Sequence, residues 1–253
     1  MTERYEGFYK VSLFNCMPFE MFTVGDCPRA KNILDEQSFE SCSTLLWASF
    51  CGKATAILDI GAHVGVYSLI AASLRKDITV HAFEPNPYAF ARLRVHKLRN
   101  KFTNIAEHHV ALAAKHGYTN FSWYVKPDLS ISSGGSLGAR AEREDYPTET
   151  VVVEAAKLDT FDIDYGSNPL VKIDVEGGEL GVLKGASKLL AAKPTIILES
   201  FSQENCDAIG ELLTSGYSVY TIIEETGQLI RQHKLTAAST LGRDFNQLIV
   251  WEK

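Results

Sequence analysis

From residue 56 onward, short apolar runs alternate with longer segments whose apolar residues recur three and four apart. The first kind reads as strand and the second as helix laid on a sheet. The strand candidates are AILDI (56–60), ITVHAF (78–83), AEHHVAL (106–112), LVKIDV (170–175), TIILES (195–200), YSVYTII (217–223) and QLIVWE (247–252). The helix candidates VGVYSLIAASLRK (64–76), PYAFARLRVHKLRN (87–100) and GELGVLKGASKLLAA (178–192) each follow a strand candidate. This alternation predicts βαβ units and an α/β fold with an open, mostly parallel seven-stranded sheet, its last two strands suited to an antiparallel edge. The rhythm breaks between Tyr118 and Val153. There, FSWYV (121–125) and TVVVEAAKL (150–158) read as strands around a stretch rich in Ser, Gly and charge, an exposed insertion whose loop SISSGGSLGAR (130–140) is a candidate lid. Residues 1–50 hold a few β-like pieces and one helix candidate, SFESCSTLLWASF (38–50). They are expected to form a small N-terminal cap on a main domain of residues 51–253.

Composition narrows the function classes. At 253 residues, with 45% hydrophobic and 22% charged, the chain suits one large α/β domain. A formal charge of −6 offers no general footprint for nucleic acid or an anionic membrane, so neither is expected as a partner. The five cysteines form no CxxC pair, which fits reduced thiols and no metal site. The opening MTERYEGFYK lacks an apolar signal core, and no later run reaches the ~18 apolar residues of a membrane span, so a cytoplasmic protein is expected.

The candidate chemistry begins at ILDIGAHVGVYS (57–68), an apolar run, an aspartate, then glycines where strand hands over to helix. A dinucleotide-binding turn needs a second glycine so that backbone can approach a pyrophosphate. That register gives Gly61, His63 and Val66 and matches only the first. Asp59 suits an amine-bearing or cationic ligand instead, through charge-assisted hydrogen bonds. S-adenosyl-L-methionine carries an amine and a sulfonium and no phosphate. Glu84, in VHAFEPN, ends the next strand, where an acidic side chain can take both hydroxyls of an adenosine ribose. That position alone fits NAD equally well, but no tyrosine is followed four places later by lysine, so the usual short-chain dehydrogenase pair is absent.

A third segment, LVKIDVEGGELGVLKGA (170–186), puts Asp174 at the carboxyl end of a strand, the rim where open α/β sheets bind ligands. With DIGAHVGVYS and FEPNPYAF it resembles the FkbM family of S-adenosylmethionine-dependent methyltransferases. The resemblance runs from about Leu34 to Glu199 and also takes in EHHVALAA, SGGSL and KLDTF. His63 stands where relatives commonly show asparagine. The family implies a class I, Rossmann-like methyltransferase fold and, most often, O-methylation of a hydroxyl on a sugar or natural-product scaffold.

The expected cofactor site is Asp59, Gly61, Ala62, His63, Gly65, Val66, Glu84, Pro85, Ala111 and Asp174. Methyl transfer needs in-line alignment and removal of the acceptor's proton. Asp174 is the candidate nearest the methyl, and Glu176 the acceptor-orienting or proton-taking partner. Lys172 shares a strand face with Asp174, as a structural ion pair or as part of the catalysis. Glu179, in the first turn of a helix, suits the helix dipole without any function. One of His108 and His109 is a candidate neighbour of the adenine. Mg²⁺ held by Asp174 and Glu199 is an alternative to a metal-free site. The acceptor is expected to be a small molecule or glycan. A protein acceptor, or a catalytically silent cofactor-binding subunit, stays open.

Overall fold

In the computed structural model, described over residues 6–13, 17–27, 33, 39–125, 131, 135–138, 147–213, 215–237 and 246–252, the apolar runs become a wound sheet. Its strands are β3 (Ala56–Ile60), β4 (Val80–Phe83), β5 (Ile105–His108), β10 (Pro169–Ile173), β11 (Thr195–Glu199), β12 (Tyr217–Ile223), β13 (Gln228–Gln232) and β14 (Asn246–Trp251). They lie in the order β13-β12-β14-β11-β10-β3-β4-β5. This is the expected class I methyltransferase arrangement, with one strand more than the seven anticipated. QLIRQ pairs antiparallel with β12 and forms the true edge; its exposed, polar-flanked residues carry no buried alternation for the sequence to reveal. β14 is antiparallel as expected but lies inside, between β11 and β12, and β12 runs parallel to the main strands.

β3 and β10 are neighbours although more than a hundred residues separate them. The chain winds from β3 through β4 to β5, then returns to β10 and winds the other way. The carboxyl ends of β3 and β10 therefore flank the point where strand order reverses, and a crevice opens there.

Helix α1 (Ser41–Cys51), α2 (Val66–Leu74) and α3 (Pro87–Arg99) lie on one face of the sheet, in a core with the antiparallel hairpin β1 (Gly7–Leu13) and β2 (Met17–Thr23). On the other face are α4 (Glu179–Lys184), α5 (Ser187–Ala191) and α6 (Gln203–Leu212). The anticipated amphipathic helix α2 is in fact buried from Val66 through Ala72, because α1 and β2 cover the side turned away from the sheet. The segment 178–192 is two short helices. A side chain at Gly185 would stand 2.3 Å from the Ala113 carbonyl oxygen, so the chain turns there against a neighbouring backbone.

His96 of α3 ties the hairpin to the sheet's first turn. Its Nδ1 donates to the Val64 carbonyl (2.8 Å) and its Nε2 accepts the Phe22 N–H (2.8 Å). Burial pushes its pKa down to about 4, keeping it neutral for that double role.

The insertion is a second sheet, β6 (Ala111–Leu112), β7 (Gly117–Tyr124), β8 (Ser136–Leu137) and β9 (Thr148–Ala156), in the order β6-β9-β7-β8. Its core is Ala111, Phe121, Trp123 and Val153. AEHHVAL is thus two strands in two sheets rather than one. Most of the candidate lid lies outside the described residues, which there are Ile131 and Gly135–Gly138. Among the described residues, no helix is long and apolar enough to cross a membrane.

Candidate active site

Three strand ends supply the polar groups of the crevice. Asp59, the fourth residue of β3, is 1% exposed. Its Oδ2 accepts both the backbone N–H (2.9 Å) and the hydroxyl (2.6 Å) of Ser68 on α2. Burial pushes its pKa up to about 6, opposed by those hydrogen bonds and by Lys172. Gly61 follows with φ +81°, and a Cβ there would lie 1.7 Å from the Asp174 carbonyl oxygen. No side chain fits, so the turns after β3 and β10 meet backbone to backbone. The Asp174 N–H closes that contact by donating to the Ile60 carbonyl at 2.9 Å.

Glu84, just past β4, is 5% exposed. One carboxylate oxygen accepts the His63 N–H (2.6 Å) and the other accepts the Asn86 N–H (2.7 Å). The carboxylate thus bridges two rim loops, and His63 holds its left-handed backbone (φ +51°) in that bridge. Each oxygen keeps acceptor capacity beyond the one amide it receives. Burial raises the Glu84 pKa to about 7; the two amides oppose the rise, and the nearby Asp59 and Asp174 add to it.

On β10, Lys172 stands directly across from Asp59 in the parallel register. It is 1% exposed. Its Nζ lies 3.7 Å from Asp174 Oδ2 and 5.4 Å from the centroid of the Tyr67 ring. The Tyr67 hydroxyl donates to Glu40 at 2.7 Å, and Asn246 Nδ2 donates to the same oxygen at 2.9 Å.

These groups line one cleft enclosing about 890 Å³, part of it open to solvent. It brings together Asp59, Gly61, Ala62, His63, Val66, Glu84, Pro85, Ala111, Lys172, Asp174 and Glu176. Gly65 stands behind it: with φ +92° it precedes α2, and a Cβ would meet Leu93 at 3.1 Å, so its place is set by helix packing. Glu179 is not among the cleft's lining residues and accepts the Gly177 N–H at 2.8 Å. His108 stacks on Phe83 (4.4 Å between centroids), and His109 stacks on Phe90 and donates to the Pro85 carbonyl (3.1 Å). Neither histidine is in the cleft wall, nor is Glu199. Among the described residues, no group of three or more His, Cys, Asp or Glu is placed to hold a metal ion.

The structure adds wall residues that sequence reasoning passed over: Phe39 before α1, Tyr67 on α2, and Phe121 and Leu137 from the insertion. Tyr67 sat within the motif already quoted. Phe121 was legible as a strand residue, but its facing partner Leu137 comes from sixteen residues further along and only strand pairing shows the match.

A family model described as the methyltransferase FkbM domain matches residues 59–227, from Asp59 on β3 to the turn after β12. The chain belongs to the FkbM methyltransferase family. It is an S-adenosyl-L-methionine-dependent methyltransferase. Among curated relatives, it is 28% identical to the 31-O-demethyl-FK506 methyltransferase FkbM of Streptomyces tacrolimicus over 217 residues, 74% of this chain and 81% of that one. It is 28% identical to the hexuronic acid methyltransferase AglP of Haloferax volcanii over 144 residues, 56% of this chain and 54% of that one. Among solved structures, it is similar to the putative methyltransferase yhhF from Escherichia coli, with a TM-score of 0.48, 12% identity, and 96% and 99% of the two chains covered.

Proposed function

We propose that this FkbM protein methylates a hydroxyl oxygen of a sugar or hydroxylated natural product, and that the cleft between β3, β4 and β10 holds the methyl donor. The observation that carries the reading is the cleft's charge. Among the described residues, four carboxylates line it (Asp59, Glu84, Asp174 and Glu176) against the single ammonium of Lys172. A phosphate-bearing nucleotide would face carboxylates with no arginine among the described lining residues to meet it, whereas a ligand carrying a sulfonium and an amine is matched. The names of the Streptomyces and Haloferax relatives support a hydroxylated acceptor.

S-adenosylmethionine supplies a methyl group already activated on sulfur, so the protein's own task is to bind, align and manage a proton. Glu84 receives the ribose hydroxyls, its oxygens held in place by the His63 and Asn86 amides. Gly61, Ala62, His63, Val66 and Pro85 form the turns around it, Gly65 supports them from behind, and Ala111 belongs to the far wall. Asp174 takes the acceptor's proton, with Lys172 3.7 Å away to hold its charge, and Glu176 orients the acceptor. Residues 1–50 serve as a cap over the 51–253 domain, contributing Phe39 to the wall.

Calorimetry with S-adenosylhomocysteine and with NAD tests the donor site: tight binding of the first and none of the second is expected, and the reverse overturns the assignment. Transfer of a labelled methyl from S-adenosylmethionine to a panel of sugars, macrolide alcohols and peptides tests the acceptor. Label in an alkali-stable ether is expected. Label appearing only as an alkali-labile ester, or only in peptides, overturns O-methylation of a hydroxyl.

A further inference from the structure

The cleft has two chemically different ends. Toward β10 it is charged, with Lys172, Asp174 and Glu176. Toward β5, where the chain leaves the main sheet for the insertion, its wall among the described residues is Val110, Ala111, Leu112, Phe121 and Leu137, none of them ionisable. Glu84 lies between them, since β4 separates β3 from β5.

An adenosine whose ribose rests on Glu84 can point its base only one way without electrostatic loss. With the base toward β10, an aromatic ring would displace water from three charged groups while the sulfonium lay against an apolar wall with no counter-ion, an expensive burial. With the base toward β5, the cation meets the carboxylates and the base meets apolar side chains.

We infer that the insertion sheet is part of the cofactor site, with the Phe121 ring, backed by Leu137, forming the face that covers the adenine. This rests on the proposed donor site and extends it to an element outside the sheet motifs. The insertion is built for that task. Phe121 is 5% exposed and pairs across strands with Leu137, and its ring is braced by Trp123 at 5.8 Å. Gly135 makes room for the ring: a Cβ there would stand 2.4 Å from Phe121 Cζ and 2.8 Å from Cε1. Any side chain at 135 pushes the ring from its seat. Behind the wall, the Ser122 hydroxyl donates to the Gly138 carbonyl (2.8 Å) and lies 2.9 Å from the Thr150 hydroxyl, locking β7 against its neighbours.

The test is binding of two probes, S-adenosylhomocysteine and 5′-methylthioadenosine, to the wild type and to Phe121→Ala, with thermal melting as the check on folding. The second probe lacks the amino-acid portion, so a loss common to both belongs to the adenosine. Base–aromatic stacking predicts that both affinities fall by the same factor, between about fivefold and a hundredfold. A folded variant that binds S-adenosylhomocysteine within twofold of wild type, or loses that probe but keeps methylthioadenosine, overturns the inference. If Phe121→Ala does not fold, the wild type decides: magnetisation transfer from the adenine H2 and H8 to the Phe121 ring is expected in the S-adenosylhomocysteine complex, and transfer absent from that ring while present to other cleft residues overturns it. Failure of the wild type to bind either probe would instead count against the donor site itself.

Discussion

The rim of the parallel sheet and the insertion sheet face each other across the cleft and are held together by different forces. At the rim, carboxylates and backbone do the fixing: Asp59 on Ser68, Glu84 on the His63 and Asn86 amides, and Gly61 against the Asp174 carbonyl. The insertion is fixed by rings, Phe121 seated in the space left by Gly135 and Trp123 packed against it. Polar fixing places an oxygen to within a fraction of an ångström, which ionic chemistry requires. Apolar fixing places a surface, which is enough for stacking. The same carboxylates that read as ligand contacts are therefore also structural, and the two duties can be separated only by experiments that hit one side of the cleft at a time.

The harshest such experiment is Gly61→Ala. Overlap with a backbone oxygen that cannot step aside is expected to cost at least about 4 kcal/mol in chemical denaturation. Gly135→Ala, which displaces only a ring, should cost about 1–3 kcal/mol. Equal costs would erase the contrast between the two sides.

Next in size is Asp174→Asn. As a general base, its loss should lower kcat by about 10²–10⁴ while leaving cofactor affinity within a few fold. A raised dissociation constant with full kcat at saturation would make Asp174 a binding residue. Lost thermal stability with unchanged kinetics would make it only the partner of Lys172.

Glu84→Ala should weaken S-adenosylhomocysteine by roughly tenfold to a hundredfold, the worth of hydrogen bonds to a charged group, about 1.5–3 kcal/mol. Because the same carboxylate holds two amides, the melting temperature should fall as well. Glu84→Gln sharpens the comparison: an amide can accept only through its oxygen, so one of the two rim loops loses its anchor. Unchanged affinity in either folded variant would remove Glu84 from the site.

The smallest effect is on pH. In the ligand-free protein, Asp59 and Glu84 are raised to about 6 and about 7, so their protonated forms are favoured. Their contribution to stability is complete below their ordinary values near 4 and is lost as pH rises through about 6 and 7. A cationic ligand favours the ionised forms. S-adenosylmethionine should therefore bind several-fold more tightly at about pH 8 than at about pH 5.5, releasing protons. Calorimetry in buffers of different ionisation heat measures both, and affinity that is flat with pH would detach these groups from the cation.

Much of this was legible along the chain because parallel strands buried on both faces advertise themselves. AILDI and YSVYTII were bounded to the residue, and the rim motifs fell at the strand ends. The edge strand Gln228–Gln232 and helix Gln203–Leu212 were not anticipated, the strand because its exposed residues carry no apolar period. His108 and His109 drew attention as chemically capable residues, yet their neighbours Phe83 and Phe90 claim both rings.

The sequence by itself determined the fold class, the family and the carboxylates at the strand ends, because strand and helix periods and turn residues are local properties that hydrophobic burial enforces one element at a time. It could not decide which groups share a wall. Lys172 meets Asp59 across 113 residues, Gly61 touches Asp174, and Phe121 meets Leu137 through strand pairing. Those meetings follow from sheet order and register, which are set by the packing of the whole chain and written in no single stretch of it.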